Sequence, residues 1–173
     1  REIAVLGAGV MGLTAATLLD ELKLGLEITV YAEHFPPHTT SDIAGGQWSP
    51  ASVERAGRGD YEQILRDSFR MHEARGAGFG VFRRRNYVLA PKSGFDRIPP
   101  DIVGPGLCLD ELPFSRLRGP GRAFDTLLVE PPIFLQRLLR DLRRSPHVRL
   151  VRRAFAARDE VAALPETIVV NCT

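Results

Sequence analysis

Lysine is nearly missing from this chain: of 23 basic residues, only Lys23 and Lys92 are not arginine. That bias is the mark of a GC-rich genome rather than of a binding surface, and it leads us to expect a bacterial source. Cysteine is scarce too. Cys108 and Cys172 stand far apart with no metal-like spacing, which excludes a disulfide framework and a cysteine-based metal site. Both are expected to be buried, reduced thiols of a cytoplasmic protein. No apolar run approaches the ~20 residues of a membrane span, and no basic segment with a long apolar stretch precedes the first strand. A spanning helix and a signal peptide are therefore not expected. The chain opens on Arg1-Glu2 without a methionine, so a few residues are expected to be missing upstream. A net charge of +2 is too small to point to nucleic acid. Repeats, low-complexity segments and a Ser/His/Asp or Cys/His nucleophile arrangement are absent as well.

What is present is a soluble, globular composition, with 44% hydrophobic and 25% charged residues in a chain long enough to bury a sizeable core. Ile3 to Leu6 is a short apolar run that reads as a buried parallel strand. Helical periodicity follows from Met11 to about Leu24, where Gly25 stops it. Glu27 to Ala32 is the second strand. The unit is βαβ, which implies a right-handed crossover and a parallel sheet. His34 to Pro50, rich in Pro, Thr, Ser and Gly, is a loop long enough to suggest function. Tyr61 to Arg75 is predicted helical, with Ile64, Leu65, Phe69 and Met71 toward a core. Gly80 to Phe124 changes character, with strand-like pieces at Asn86 to Ala90 and Leu107 to Leu109 among turn signals. A strand is predicted at Thr126 to Val129. A helix then opens on Pro131-Pro132 and runs to about Arg144, and strands follow at Val148 to Val151 and Thr167 to Val170.

The first strand leads into Gly7-Ala8-Gly9-Val10-Met11-Gly12. Gly7 allows the tight turn out of the strand. Gly9 lets backbone approach a pyrophosphate, and Gly12 lets the helix pack closely on the sheet. The helix N-terminus presents free N–H groups and a positive dipole end to phosphate. A GxGxxG alone is a weak signal; strand before and helix after make it a dinucleotide site. Glu33, at the end of the second strand, lies a little beyond the usual spacing of about 20 residues. An acid there accepts hydrogen bonds from ribose hydroxyls and repels a 2′-phosphate, which disfavours NADP. Thr39, Thr40 and Ser41 offer three hydroxyls in a row, and Gly45-Gly46 permits close approach to a flat ligand.

The strings Val30-Tyr31-Ala32-Glu33-His34-Phe35 and Thr39 to Pro50, with its Asp-x-Ala-x-Gly-x-Trp-x-Pro segment, resemble the FAD-dependent D-amino-acid oxidase family. So do Leu128 to Leu135 and Val169-Val170-Asn171-Cys172-Thr173. The resemblance runs over nearly the whole chain and covers about the first half of a typical member. It implies FAD as cofactor. Gly7, Ala8, Gly9, Val10, Met11 and Gly12 would approach the pyrophosphate, and Glu33 the adenosine ribose. His34, where the family often has arginine, would lie near the adenosine half. Thr40 and Ser41, after Thr39, look like the hydroxyl pair that contacts cofactor phosphates. Gly46 and Gln47, after Gly45, match positions whose backbone reaches the flavin edge, though the family usually has an apolar residue at Gln47. Phe155, Cys172 and Thr173 match positions near the adenine and ribose.

The expected fold class is α/β: a Rossmann-like FAD-binding parallel sheet with helices, plus part of an inserted β-rich substrate domain. The expected division is 1–79 and 125–173 in the FAD-binding domain and 80–124 in the substrate domain. The implied function is oxidation of a D-amino acid to an imino acid, with hydrogen peroxide from oxygen. The reaction partners are then a small D-amino acid and oxygen, with homodimerisation left open and neither nucleic acid nor membrane involved. No catalytic residue is assigned, because the family's substrate-gripping arginine and tyrosines belong to its second half. Alternatives are a related flavin amine oxidase acting on glycine, sarcosine or D-aspartate, and an NAD-dependent dehydrogenase. The last would have no use for the hydroxyl run or the Gly45-Gly46 loop. His34 and His38 have an HxxxH spacing, but Pro36 and Pro37 rule out a helix between them, so a metal is not expected. Trp48 is read as a packing anchor, and Arg83-Arg84-Arg85 as a solvated strand end or charge cluster.

Overall fold

The computed structural model describes residues 1–49, 59–89, 98–114, 116 and 119–173. Pro50 and Ala90, which end two of the predicted segments, lie outside the described residues. The chain divides into two compact units, one of residues 1–45 and 131–173, the other of residues 46–130. The expected domain boundaries at 79/80 and 124/125 both fall inside the second of these. Among the described residues, no helix is long and apolar enough to cross a membrane.

The first unit is built on a parallel sheet of β1 (Glu2–Leu6), β2 (Glu27–Ala32), β6 (Val148–Arg152) and β7 (Ile168–Asn171), in the order β6-β2-β1-β7. The two inner strands are apolar on both faces because both are covered. Ile3 to Leu6 and Ile28 to Ala32 are all buried. The register pairs Leu6 with Tyr31 on one side and with Asn171 on the other, so three strand ends finish level.

Helix α1 (Val10–Glu21) buries Gly12, Leu13, Ala16 and Thr17 and packs against α4 (Pro131–Leu142). Helix α4 contributes Phe134, Leu135, Leu138, Leu139 and Leu142, the densest apolar stripe of the chain. Helix α1 stops short of the predicted Leu24. Lys23 takes a left-handed φ of 51°, and Leu22 and Leu24 are exposed, so no apolar surface draws the helix onward. A second apolar cluster joins Ala4, Leu6 and Tyr31 to Val151, Phe155, Val161 and Leu164. It includes Val161 of a short helix, α5 (Arg158–Ala162), that periodicity did not reveal.

The second unit is an antiparallel sheet, β3-β5-β4, of β3 (Val81–Leu89), β4 (Leu107–Leu109) and β5 (Gly121–Val129). Strand β5 includes the strand predicted at Thr126 to Val129 but pairs along its whole length with β3, from Val81↔Val129 to Leu89↔Gly121. Helix α2 (Tyr61–Arg75) has the predicted bounds and packs on β3 and β5 through Tyr61, Leu65 and Phe69. Helix α3 (Pro100–Val103) is a single turn.

Trp48 is the anchor expected of it. Its indole N–H donates to Ser68 Oγ at 3.1 Å, its ring meets Phe69 edge-on at 5.1 Å, and its backbone N–H donates to Leu127 O. Arg83 pairs with Glu73 of α2, and Arg85 with Asp125 of β5, through exposed side chains. His72 Nδ1 contacts the Ser68 carbonyl oxygen at 2.8 Å. Neither cysteine is buried as expected: Cys108 is exposed on β4, a three-residue edge strand, and Cys172 is half-buried at the end of β7.

Candidate functional site

An open cleft of about 1090 Å³ lies at the carboxyl ends of β1, β2 and β7 in the first unit. It is the place where ligands settle in open α/β sheets, because loops there diverge around the strand ends. Gly7 follows β1 with φ +102°, a left-handed conformation that side chains resist. Its N–H donates to Tyr31 O at 2.8 Å, and a Cβ there would sit 2.8 Å from the Cys172 carbonyl oxygen. The turn is thus clamped between the ends of β2 and β7.

Gly12 is tighter still: a Cβ would lie 1.9 Å from Gly7 O, so the helix rests directly on the turn. Gly9 is the N-cap of α1 and has extended backbone. A Cβ there would come within 2.7 Å of Ser41 Oγ. The tasks expected of Gly7 and Gly12 are both visible, while the room left at Gly9 is shared with a hydroxyl.

Helix α1 has no acid in its first turn and no side-chain cap of its own. Its first backbone bond runs from Leu13 N–H to Gly9 O, so Met11 and Gly12 keep N–H groups without intrahelical partners. Val10 N–H donates to Ser41 Oγ at 3.0 Å. Ser41 therefore acts as a cap delivered from a distant loop. Ser41→Ala should lower stability by about 1 kcal/mol, read by urea denaturation; an unchanged midpoint would remove this role.

The loop that delivers Ser41 is self-braced. Thr39 to Asp42 form a capping box in which Asp42 Oδ2 accepts the Thr39 N–H at 2.8 Å and the Thr39 hydroxyl at 2.7 Å. Of the three hydroxyls expected to face a ligand, Thr39 is committed to Asp42 and Ser41 to α1, and Thr40 is exposed on the cleft. Asp42 Oδ1 is buried without a hydrogen-bond partner among the described residues.

Glu33 stands just past β2, exposed on the cleft wall, and its carbonyl oxygen accepts Arg152 Nε at 3.0 Å. His34 is exposed beside it. Phe155 faces Glu33's strand from the segment after β6: its ring meets Tyr31 edge-on at 5.7 Å, and the Arg153 guanidinium covers it at 4.6 Å. Thr173 turns back on Asn171, donating through N–H and hydroxyl to Asn171 Oδ1. Burial pushes the Cys172 thiol up from its ordinary value, which keeps it neutral beside the glycine turn.

The cleft therefore gathers Gly7, Ala8, Gly9, Glu33, His34, Thr39, Thr40, Ser41, Phe155, Cys172 and Thr173. Val10, Met11 and Gly12 lie behind it in α1, and Gly45 is exposed with open space around it. Gly46 and Gln47 belong to the second unit, where Gly46 O accepts Val129 N–H at 2.7 Å and Gln47 bridges Leu128. Sequence reasoning missed Tyr31, Arg153, Arg158 and Asn171 as lining residues. Arg152-Arg153, just before Phe155, was the available signal, a pair of cations next to an aromatic residue. Among the described residues no group of His, Cys, Asp or Glu could hold a metal ion.

The geometry fits a dinucleotide: backbone bare of Cβ atoms at Gly7 and Gly9, free N–H groups at a helix end, an acid at the neighbouring strand end and a flat aromatic wall. Comparison with known proteins agrees. A family model described as FAD dependent oxidoreductase matches residues 2–173. The human D-aspartate oxidase is 28% identical over 99% of this chain and 52% of its own length. A D-amino acid oxidase of Dugesia ryukyuensis is 40% identical over 52 residues, 30% of this chain and 16% of that protein. The chain thus spans about half the length of the human relative. An iminodiacetate oxidase from Chelativorans sp. BNC1 superposes with a TM-score of 0.59 at 19% identity, over 88% of this chain and 47% of that one. An L-amino acid deaminase from Proteus vulgaris does so with a TM-score of 0.60 at 11% identity, over 86% and 39%. At those identities the two structures share the α/β fold.

Proposed function

Because the chain belongs to the FAD-dependent oxidoreductase family, we propose that it holds the FAD of an oxidase acting on D-amino acids. Family membership removes the NAD-dependent dehydrogenase alternative. The observation that carries the reading is the convergence of the glycine turn, the Ser41 loop and Glu33 on one cleft.

In this reading the pyrophosphate lies against the Gly7 to Gly9 backbone, where missing Cβ atoms and the positive end of α1 favour an anion. Glu33 accepts hydrogen bonds from the adenosine ribose. Phe155 offers the base an apolar wall, and Arg153, whose guanidinium covers the Phe155 ring, adds positive charge to the cleft. FAD when bound supplies a hydride acceptor, so the amino acid leaves as an imino acid that hydrolyses to keto acid and ammonia, with oxygen reduced to hydrogen peroxide. No side chain of this chain is assigned to the substrate carboxylate.

The D-amino-acid reading draws on the two curated relatives, both oxidases of D-amino acids by name. The full-length protein should be yellow and should release peroxide from D-alanine or D-aspartate but not from their L-forms, whereas this chain alone should release none. A colourless protein that rejects added FAD would overturn the cofactor assignment. Peroxide from glycine or sarcosine alone would move the assignment to the related amine oxidases.

A further inference from the structure

Tyr31 touches the cleft in two ways. Its carbonyl oxygen holds the Gly7 N–H, and its ring supports Phe155 edge-on. Its hydroxyl points elsewhere, donating to Glu166 at 3.0 Å to Oε1 and 3.3 Å to Oε2. Glu166 is outside the cleft. It precedes β7 and lines a separate cavity of about 360 Å³ together with Glu27, His147 and Arg149. Its side chain is only 3% exposed, and its ion-pair partner Arg149 is 3.7 Å away and largely exposed.

A carboxylate withdrawn from water this far is costly unless its partners are well placed. An apolar pair would fill the same space without that cost. What the pair adds is direction, because a hydrogen bond pins the hydroxyl end of the phenol and so the direction of the ring axis, where an apolar contact does not. Burial, then the bond to Glu166, push the Tyr31 phenol above its ordinary range, so it stays a neutral donor. The ring it orients is the one against which Phe155 rests, and Val161 and Leu164, between Phe155 and Glu166 in the chain, pack in the same cluster.

We infer that Glu166 is a positioning residue for the cofactor cleft: through the Tyr31 hydroxyl it sets the tilt of Tyr31 and so the plane of Phe155, the wall for the adenine. The inference rests on the FAD reading above. It makes Glu166, a residue that touches no ligand, a determinant of affinity for the adenosine half.

The test is calorimetric titration of the full chain with FAD and, separately, with ADP, at a temperature well below each variant's melting point. Tyr31→Phe, which deletes one oxygen atom, should weaken both ligands by the same factor, about tenfold. Glu166→Gln keeps an oxygen acceptor for the phenol and should stay within about twofold of the parent. Phe155→Ala should weaken ADP as well, and adding Tyr31→Phe to it should cost little more, because one acts through the other. Additive losses in the double variant, or ADP binding unchanged by Tyr31→Phe, would overturn the inference while leaving the FAD reading intact. A parent chain that binds neither FAD nor ADP would overturn both. A role confined to stability would lower the melting temperature of Tyr31→Phe without moving either affinity.

Discussion

Gly12→Ala should destabilise the protein by about 3 kcal/mol or more and leave it unable to retain flavin. The new methyl would lie 1.9 Å from the Gly7 carbonyl oxygen and 2.7 Å from its carbon. Both are backbone atoms in a turn already clamped by Tyr31 and Cys172, so no side chain can rotate away. The conflict is relieved only by lifting α1 off the turn, which separates the helix N-terminus from the strand ends that line the cleft. Gly78→Ala is the control: a Cβ there meets nothing within 4 Å, and its backbone needs no left-handed φ. Urea unfolding with flavin absorbance of the purified variants separates the two. A Gly12→Ala protein within 1 kcal/mol of the parent, still yellow, would show that the helix has slack the geometry denies.

Glu33→Ala should weaken FAD by about 1–3 kcal/mol, or roughly 5- to 150-fold, the range for losing charge-assisted hydrogen bonds in a partly enclosed site. The side chain stands exposed on the cleft wall, and among the described residues only its backbone carbonyl is engaged, by Arg152. Removing the carboxylate therefore takes nothing from the fold and should leave the unfolding midpoint where it was. Glu33→Gln keeps the length and an oxygen acceptor and should fall between. Fluorescence titration with FAD measures both, and an affinity equal to the parent's would strike Glu33 from the site.

The features legible in the sequence were those whose physics is local. The glycine spacing foretold the turn and the helix contact, because both depend on the volume of single residues. The apolar face of residues 61–75 gave α2 its bounds, and the apolar run to Ala32 gave β2 its end. What stayed hidden depends on partners far along the chain. Thr126 to Val129 reads as strand from composition, but nothing local says that it pairs antiparallel with residues 81–84, which is why the domain boundaries were drawn elsewhere. The three hydroxyls of the Thr39 loop look equivalent in sequence, yet Asp42 claims one and α1 another. Glu166 carries no signal at all, since its meaning is given by a tyrosine 135 positions earlier.

The Ser41 hydroxyl at the head of α1 changes how affinity for an anion should be counted. The Val10 N–H already has an acceptor at 3.0 Å, so a phosphate oxygen that takes this donor does so by exchange. The gain is then the difference between a charged acceptor and a neutral hydroxyl, smaller than the capture of a bare donor. The same hydroxyl, once displaced, becomes a donor free to turn toward the phosphate that displaced it. One side chain on a 3₁₀ turn thus caps the helix and can serve as a ligand to the phosphate that takes its place.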